Sequence, residues 1–460
     1  MLREIKWNDH PILGDLTLDF TKPDGTLLYN TIVIAGENGT GKTTILETVS
    51  NFLSCGSIVP FKYIKYDANG EIFTIQPRPD GQHAETGWHV RKNDSTNSEQ
   101  NISANKNLHP EQIENDVEDV RHYGCAYSKA RSGFNTGKVS SVTTQQIDTD
   151  KYEEDTKDDF TGIKQLLVDI DTQDNSDWME ITLSGAGTLF EDFKPTSKKY
   201  RFEQAFNNFF NTIQFKKVDY SIKGEMQILF SKRGKDIKID SLSTGEKQIV
   251  FRGAHLLRNS RNIDGGIVLI DEPELSMHPK WQEKILKYYR DLFTTSGVQS
   301  TQMIFATHSE YVLRSALSDP QNVLVIALNE NGGNIQATKI DAPSVLPTIT
   351  AAEINYIAFG IPSSDYHIAL YGYLQSKVAV TLGKASCNLQ ECDNYIQQQT
   401  TIYDATKHEK QFCRTVNGHT ITEFTLPTYI RNAIDHPDSG RSFTQEELET
   451  SIELLIALCR

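Results

Sequence analysis

Cysteine is scarce, with six residues scattered over a chain of 460, too sparse for a disulfide framework and consistent with a reducing compartment. No apolar run approaches the roughly 20 residues that a membrane-crossing helix needs. The first ten residues, Met1 to His10, also lack the apolar core of a secretion signal. A cytoplasmic protein with no membrane partner is therefore expected. There is no sustained heptad pattern, which excludes extended coiled-coil arms. Cations are in deficit: 46 Lys and Arg face 61 Asp and Glu, a net charge of -15. That balance argues against a surface wrapped in nucleic acid, because such binding is driven by counterion release from a basic face. What the chain has is length, enough for two or three subdomains rather than one core.

The stretch from Gly36 to Thr44 reads GENGTGKTT and stands between the apolar run Thr31 to Ala35 and the helix-like Ile45 to Leu53. A strand that delivers the chain into a glycine-rich turn at a helix start is the setting of a phosphate-binding loop. Backbone N–H groups of Gly36, Asn38, Gly39, Thr40, Gly41 and Thr44 can wrap a polyphosphate while the helix aims its positive end at it. Lys42 would reach the β- and γ-phosphates, and Thr43 would hold Mg²⁺.

Two later segments supply the chemistry. Gly265 to Pro273 reads GGIVLIDEP, a buried strand ending in paired carboxylates. Asp271 would hold Mg²⁺ through water and Glu272 would polarise the attacking water. Upstream, Asp240 to Gln248 reads DSLSTGEKQ and precedes a helical run. Ser243 and Gly245 at that helix start make a second anion site, which makes sense if it closes on nucleotide held by a neighbouring subunit.

With these motifs the chain resembles the ATP-binding-cassette superfamily, whose LSGGQ signature is matched here by Leu242 to Glu246, LSTGE, with Glu246 in place of glutamine. Glu274 to Pro279 is similar to the D-loop, and the strand Gln302 to Thr307 leads to His308, which matches the switch histidine sensing the γ-phosphate. The resemblance implies an α/β fold, a two-lobed ABC-type P-loop ATPase with a mixed sheet and helices over residues 1–345, followed by a mainly helical domain over 346–460. It implies ATP and Mg²⁺ as ligands, Lys42, Glu272 and His308 as catalytic groups, and a head-to-tail homo-oligomer in which Ser243 and Gly245 act in trans. The family's Q-loop glutamine has no firm counterpart; Gln145 and Gln146 are candidates.

Between residues 76 and 119 the chain is polar with little periodicity, predicting an exposed insertion. An acidic loop is expected near 148–159. The segment 194–238 carries eleven Lys or Arg against four acids; it either faces an acidic ligand such as nucleic acid or is the solvated side of strands and a helix. Within it, strands are predicted over 218–222, 226–230 and 237–239.

Beyond residue 345 alanine, isoleucine and aromatics recur at helical spacing. The last helix is well marked: Thr444 and Glu447 form a capping box, and Leu448, Ile452 and Leu455 an apolar face. Cys387, Cys392, His408 and Cys413 form a loose candidate metal set. The stretch around Arg431, Asn432 and His436 resembles the Arg-x4-His motif of HEPN ribonucleases; the same residues also suit a helix end, with Pro437 as the stop. Taken together, the motifs and tail resemble bacterial anti-phage ATPases related to the overcoming-lysogenisation-defect family, nearest the ATPase subunit of the PARIS system, with that of Septu and retron systems second. That resemblance implies abortive-infection defence, in which the assembly senses a phage-encoded trigger protein and controls a separate nuclease or TOPRIM effector. An ATPase-gated ribonuclease and a DNA-repair ATPase of SMC-like type are the alternatives.

Overall fold

The computed structural model describes residues 1–78, 88–103, 113, 115–134, 136–154, 160–185, 187–221, 224–260, 262–295, 297–341, 344–416 and 419–460. They fall into two compact units, Met1–Lys339 and Ile340–Arg460, each with an apolar core of its own.

The first unit is built on a seven-stranded sheet in the order Asn334–Ile340, Val323–Asn331, Thr31–Gly36, Gln302–Thr307, Ile267–Asp271, Cys125–Ser128, Tyr152–Glu154. From Val323–Asn331 to Tyr152–Glu154 every neighbouring pair is parallel. The three innermost strands read TIVIAG, QMIFAT and IVLID and are buried along their whole length. Near-continuous apolar runs of this kind belong to parallel strands covered on both faces. One cover is the helix Lys42–Leu53, whose Ile45, Leu46, Val49, Phe52 and Leu53 share a core with Ile32, Leu269 and Ile304 of the sheet. The same core takes in Trp7, Phe61 and Tyr66 from a six-stranded antiparallel sheet ordered Thr17–Asp19, Leu2–Trp7, Phe61–Ala68, Glu71–Pro77, Trp88–Asn93, Glu99–Ser103.

The polar stretch 76–119 is thus not simply a loop: two of its segments are strands that extend the antiparallel sheet. Its polarity hides buried pairs, since Arg91 on the strand Trp88–Asn93 is 4% exposed and bonds Asp116 at 2.7 Å and Glu118 at 2.9 Å. Residues 79–87 and 104–112 of that stretch lie outside the described residues. The acidic segment 148–159 likewise contributes Tyr152–Glu154 as the edge strand beside Cys125–Ser128, and Asp148 is ion-paired with Arg201 at 2.8 Å; residues 155–159 lie outside the description.

A second lobe of this unit carries the helices Thr161–Leu183 and Lys198–Phe209 and an antiparallel meander Ile213–Asp219, Gln227–Lys232, Lys235–Lys238. The last turn of the meander places Arg233 at φ 52° and Gly234 at φ 76°, the left-handed pair that a two-residue hairpin demands. It feeds a helical run from Thr244 to Leu257 with a π-helical turn, Gln248–Arg252, in its middle.

The C-terminal unit holds the helices Ala351–Phe359, Ser364–Thr381, Leu389–Gln398, Leu426–Asp435 and Gln445–Cys459. Thr444 and Glu447 complete the capping box, and Leu448, Ile452 and Leu455 are buried. The unit also contains a hairpin, Glu409–Val416 with His419–Thr425, which the helical periodicity around it concealed.

Candidate nucleotide site

Parallel register assembles the site. Thr307 pairs with Ala35, and Asp271 pairs with Ala306, so Gly36, Asp271 and Thr307 leave the sheet at one level. Their following loops converge at the carboxyl edge, where open α/β sheets bind ligands.

The loop after Thr31–Gly36 is a compact cradle. A Cβ at Gly36 would lie 2.7 Å from the Leu328 carbonyl and 2.8 Å from Thr40 Oγ1. Gly41, at φ 81°, would press a Cβ to 2.4 Å from Leu13 Cδ2. Both positions therefore require glycine. Thr40 is buried and donates its hydroxyl to the Glu37 carbonyl at 2.8 Å, whereas Asn38 and Gly39 are exposed at the rim. Lys42 opens the helix, with Nζ donating to the carbonyls of Gly36 at 2.8 Å and Glu37 at 2.7 Å. Burial pulls its pKa down against the carboxylates of Glu272, Asp271 and Glu274. The ammonium is thus inside the loop, and Thr44 lies on the next helical step.

Thr43 Oγ1 donates to Asp271 Oδ2 at 2.9 Å. Asp271 is 2% exposed, and its Oδ1 is buried without a hydrogen-bond partner. Burial pushes its pKa up to about 6. An unsatisfied buried carboxylate oxygen beside a threonine hydroxyl is an oxygen-only donor set that fits Mg²⁺. The residues present therefore fit the implied metal, and Thr43 and Asp271 are the groups that would hold it.

Glu272 follows in the left-handed region at φ 43°, an uncommon place for a side chain. Its N–H donates to the Ala306 carbonyl at 2.9 Å, and His308 Nδ1 stands 3.4 Å from its Oε1. The imidazole holds the Glu272 carboxyl below the usual range, and the same contact raises His308. Glu274 fixes the other side: buried, it accepts from Thr307 Oγ1 at 2.6 Å and from the His308 N–H at 3.0 Å. His308 is thereby pinned between two carboxylates, one half-open to solvent and one enclosed.

The sequence did not point to Arg252. It is fully buried on the π-helical turn and donates to the carbonyls of Asp271 at 2.6 Å, Glu272 at 3.0 Å and Ser128 at 3.0 Å, and to Ser128 Oγ at 2.8 Å. One guanidinium therefore joins the signature helix to the backbone of both site carboxylates. Ser243 caps that helix in a capping box with Glu246. Glu246 is buried, accepts from the Ser243 N–H at 2.8 Å and pairs with Lys232 at 2.5 Å. A carboxylate in the usual glutamine position is thus explained by its local partners. A Cβ on Gly245 would lie 2.7 Å from the Ser276 carbonyl, so the signature helix packs directly on the loop that follows Glu272.

With this geometry, residues 32–314 match the family model described as "AAA domain, putative AbiEii toxin, Type IV TA system". The chain belongs to that family. It also has curated relatives. "Retron Vc95 probable ATPase" of Vibrio cholerae serotype O1 biovar El Tor is 26% identical over 40% of this chain and 34% of that one. "Retron Ec83 probable ATPase" of Escherichia coli is 32% identical over 25% and 21%. "Septu protein PtuA" of Bacillus thuringiensis is 25% identical over 69% and 74%. The match therefore spans about a third or less of the length of the two retron relatives. Among solved structures, the SMC head domain from Thermotoga maritima superposes with a TM-score of 0.40 at 13% identity, covering 74% of this chain and 98% of that chain. The fold assignment for this AAA-domain chain rests on its own strand order and loops.

Other candidate residues lie elsewhere. Gln145 offers its carbonyl to Gln173 Nε2 at 2.8 Å, and the strand beside Asp271 is followed by Lys129, Ala130 and Arg131. Among the described residues no group of three or more His, Cys, Asp or Glu is placed to hold a metal, which overturns the set Cys387, Cys392, His408 and Cys413. Cys392 is buried, Cys413 is exposed on a strand, and His408 Nδ1 accepts from the Asp404 N–H at 3.0 Å. Arg431 pairs with Asp435 at 2.7 Å and Asn432 is buried, while His436 caps the helix end in the open. Among the described residues of the basic segment, Lys194, Lys198, Lys199, Arg201, Lys216, Lys217 and Lys232 are engaged by carboxylates, while Lys223 lies outside the description. No helix among the described residues is long and apolar enough to cross a membrane.

Proposed function

We propose that the chain binds ATP with Mg²⁺ at the Gly36–Thr44 loop and hydrolyses it between two copies of itself. The observation that carries this reading is the convergence of Lys42, Thr43, Asp271, Glu272 and His308 at one sheet edge. Lys42 would exchange its two loop carbonyls for β- and γ-phosphate oxygens. Glu272, kept ionised by His308, would accept a proton from the attacking water. Mg²⁺, held by Thr43 and Asp271, would neutralise charge on the phosphates. Ser243, exposed at the start of the run Thr244–Leu257, would present its helix end to nucleotide held by the second copy.

The motifs, together with retron and Septu relatives, support a bacterial anti-phage role in which this ATPase acts as sensor and scaffold for a partner nuclease released or activated by a phage protein. The relatives favour a Septu- or retron-like arrangement over the PARIS one. A Glu272→Gln variant tests the site: ATP binding should persist, hydrolysis should fall by about 10²- to 10⁴-fold, and ATP-bound assemblies should accumulate on size-exclusion chromatography. Undiminished turnover would remove Glu272 from its role.

A further inference from the structure

The helix Thr161–Leu183 is packed along its first half and bare at its far end. Leu166, Val168 and Ile170 are buried, whereas Met179 is 65% and Leu183 80% exposed. These two lie one turn apart and share a face. Beyond Leu183 the chain passes Gly185 and Gly187, both at positive φ, and adds Leu189 at 68% and Phe190 at 50% exposure. Single exposed apolar residues are ordinary, but four along one short stretch, the largest such group among the described residues, mark a contact surface. Its shape is set in advance. The Trp178 ring lies 5.3 Å from the rings of both Phe190 and Phe193, and Phe193 is buried, so Phe190 has little freedom left to lose on binding.

The charge around these residues selects what can cover them. From Asn175 to Phe193 the chain has no Lys, Arg or His and four acids, Asp177, Glu180, Glu191 and Asp192, all of them exposed. Among the described residues only Asp177 of the four is ion-paired, with Lys198 at a long 3.9 Å. Two copies of the chain meeting end to end here would set these carboxylates against their own kind. Nucleic acid or an anionic lipid surface would meet the same repulsion. A partner with apolar residues flanked by Lys or Arg is matched in both respects. Because Met179 and Leu183 form a ridge on an exposed helix, the surface that fits them best is the ridged face of another helix.

We propose that the end of the helix Thr161–Leu183, with Leu189 and Phe190, docks a basic amphipathic helix of a different protein. The apolar face of that helix covers Met179, Leu183, Leu189 and Phe190, and its flanking cations meet Glu180, Glu191 and Asp192. This does not depend on the nucleotide reading of the Gly36–Thr44 loop, and it is tested without nucleotide.

The probe is a labelled peptide of about 18 residues with Leu along one helical face and Lys along the other, titrated with the full chain by fluorescence anisotropy. Wild type should bind it, and the double variant Leu183→Ser/Phe190→Ser should bind it about tenfold or more weakly, as the loss of two apolar anchors requires. A second double variant, Glu180→Lys/Glu191→Lys, keeps the apolar side chains and should also weaken binding, with the difference from wild type shrinking as salt is raised. Both variants change exposed side chains and should melt as wild type does. The proposal is overturned if wild type does not bind the peptide, if either variant binds it as wild type does, or if a matched peptide with Glu in place of Lys binds equally well. It is also overturned if sedimentation shows an assembly of copies that Leu183→Ser dissolves, since the occupant is then a second copy. Phosphatidylglycerol vesicles that sediment wild type but not the Leu183→Ser/Phe190→Ser variant would overturn it in favour of a lipid surface.

Discussion

His308 sits within 3.5 Å of two carboxylates, and that placement has a pH signature. Its raised pKa means the imidazolium contact is fully present below the ordinary histidine value of 6.5 and is lost as pH rises through the raised one. The lowered Glu272 works in the opposite sense: its contribution is present above the ordinary value of 4.5 and is lost as pH falls through the depressed one. The melting-temperature difference between wild type and His308→Ala should therefore be largest between these ordinary values and shrink on either side, and it should be small, since both groups are partly solvated. Arg252 should matter more. Arg252→Met leaves the carbonyls of Ser128, Asp271 and Glu272 without their shared donor, and a loss of several kcal/mol in chemical unfolding is expected at about 1–3 kcal/mol per buried unsatisfied group. The difference in legibility between these two residues is physical. His308 was visible because it directly follows an apolar strand in a fixed order of motifs. Arg252 was hidden because an arginine inside a helical run has the same local pattern whether it faces water or three backbone oxygens.

The helical run Thr244–Leu257 shows how tightly an element can be specified by what it touches. A Cβ at Gly253 would fall 1.9 Å from Tyr288 Oη, and that hydroxyl donates to the Ile249 carbonyl at 2.9 Å within the π-helical turn. Gly253→Ala should cost about 1–3 kcal/mol by thermal unfolding, and Tyr288→Phe in the same chain should recover part of it, because the clashing atom is then gone; additive losses would show that the contact is not the cause. The elements that sequence patterning located are those with strong periodicity or capping chemistry: the strands TIVIAG and IVLID and the helix capped by Thr444. Those it misjudged are sheet-edge segments. Trp88–Asn93 buries His89, Arg91 and Asn93, so its inward face is polar and the alternation expected of a half-buried strand disappears. Of the meander strands before the signature, the one expected over 226–230 matches Gln227–Lys232, whereas the first, expected over 218–222, lies earlier at Ile213–Asp219.

At the scale of the chain, two separate cores predict two unfolding events. Scanning calorimetry should resolve one transition for Met1–Lys339 and another for Ile340–Arg460, and a chain ending at Lys339 should keep the first. The proposed shared site makes a different demand. Lys42→Ala and Ser243→Ala copies, each inactive alone, should regain part of the wild-type ATPase rate when mixed, because one interface then receives both intact halves; mixtures that stay inactive beside active lone monomers would exclude it. Sequence carried the order of the motifs but not which strand neighbours which. That required the register of Ala35, Ala306 and Ser128 against their partners, which depends on contacts between segments far apart along the chain.

The backbone at Glu272 sets this protein's comfort against its chemistry. Glycine adopts φ 43° freely, so Glu272→Gly should give a chain that unfolds later and turns over nothing. On the proposed function, a carboxylate in so unfavourable a posture is a stability cost accepted for hydrolysis.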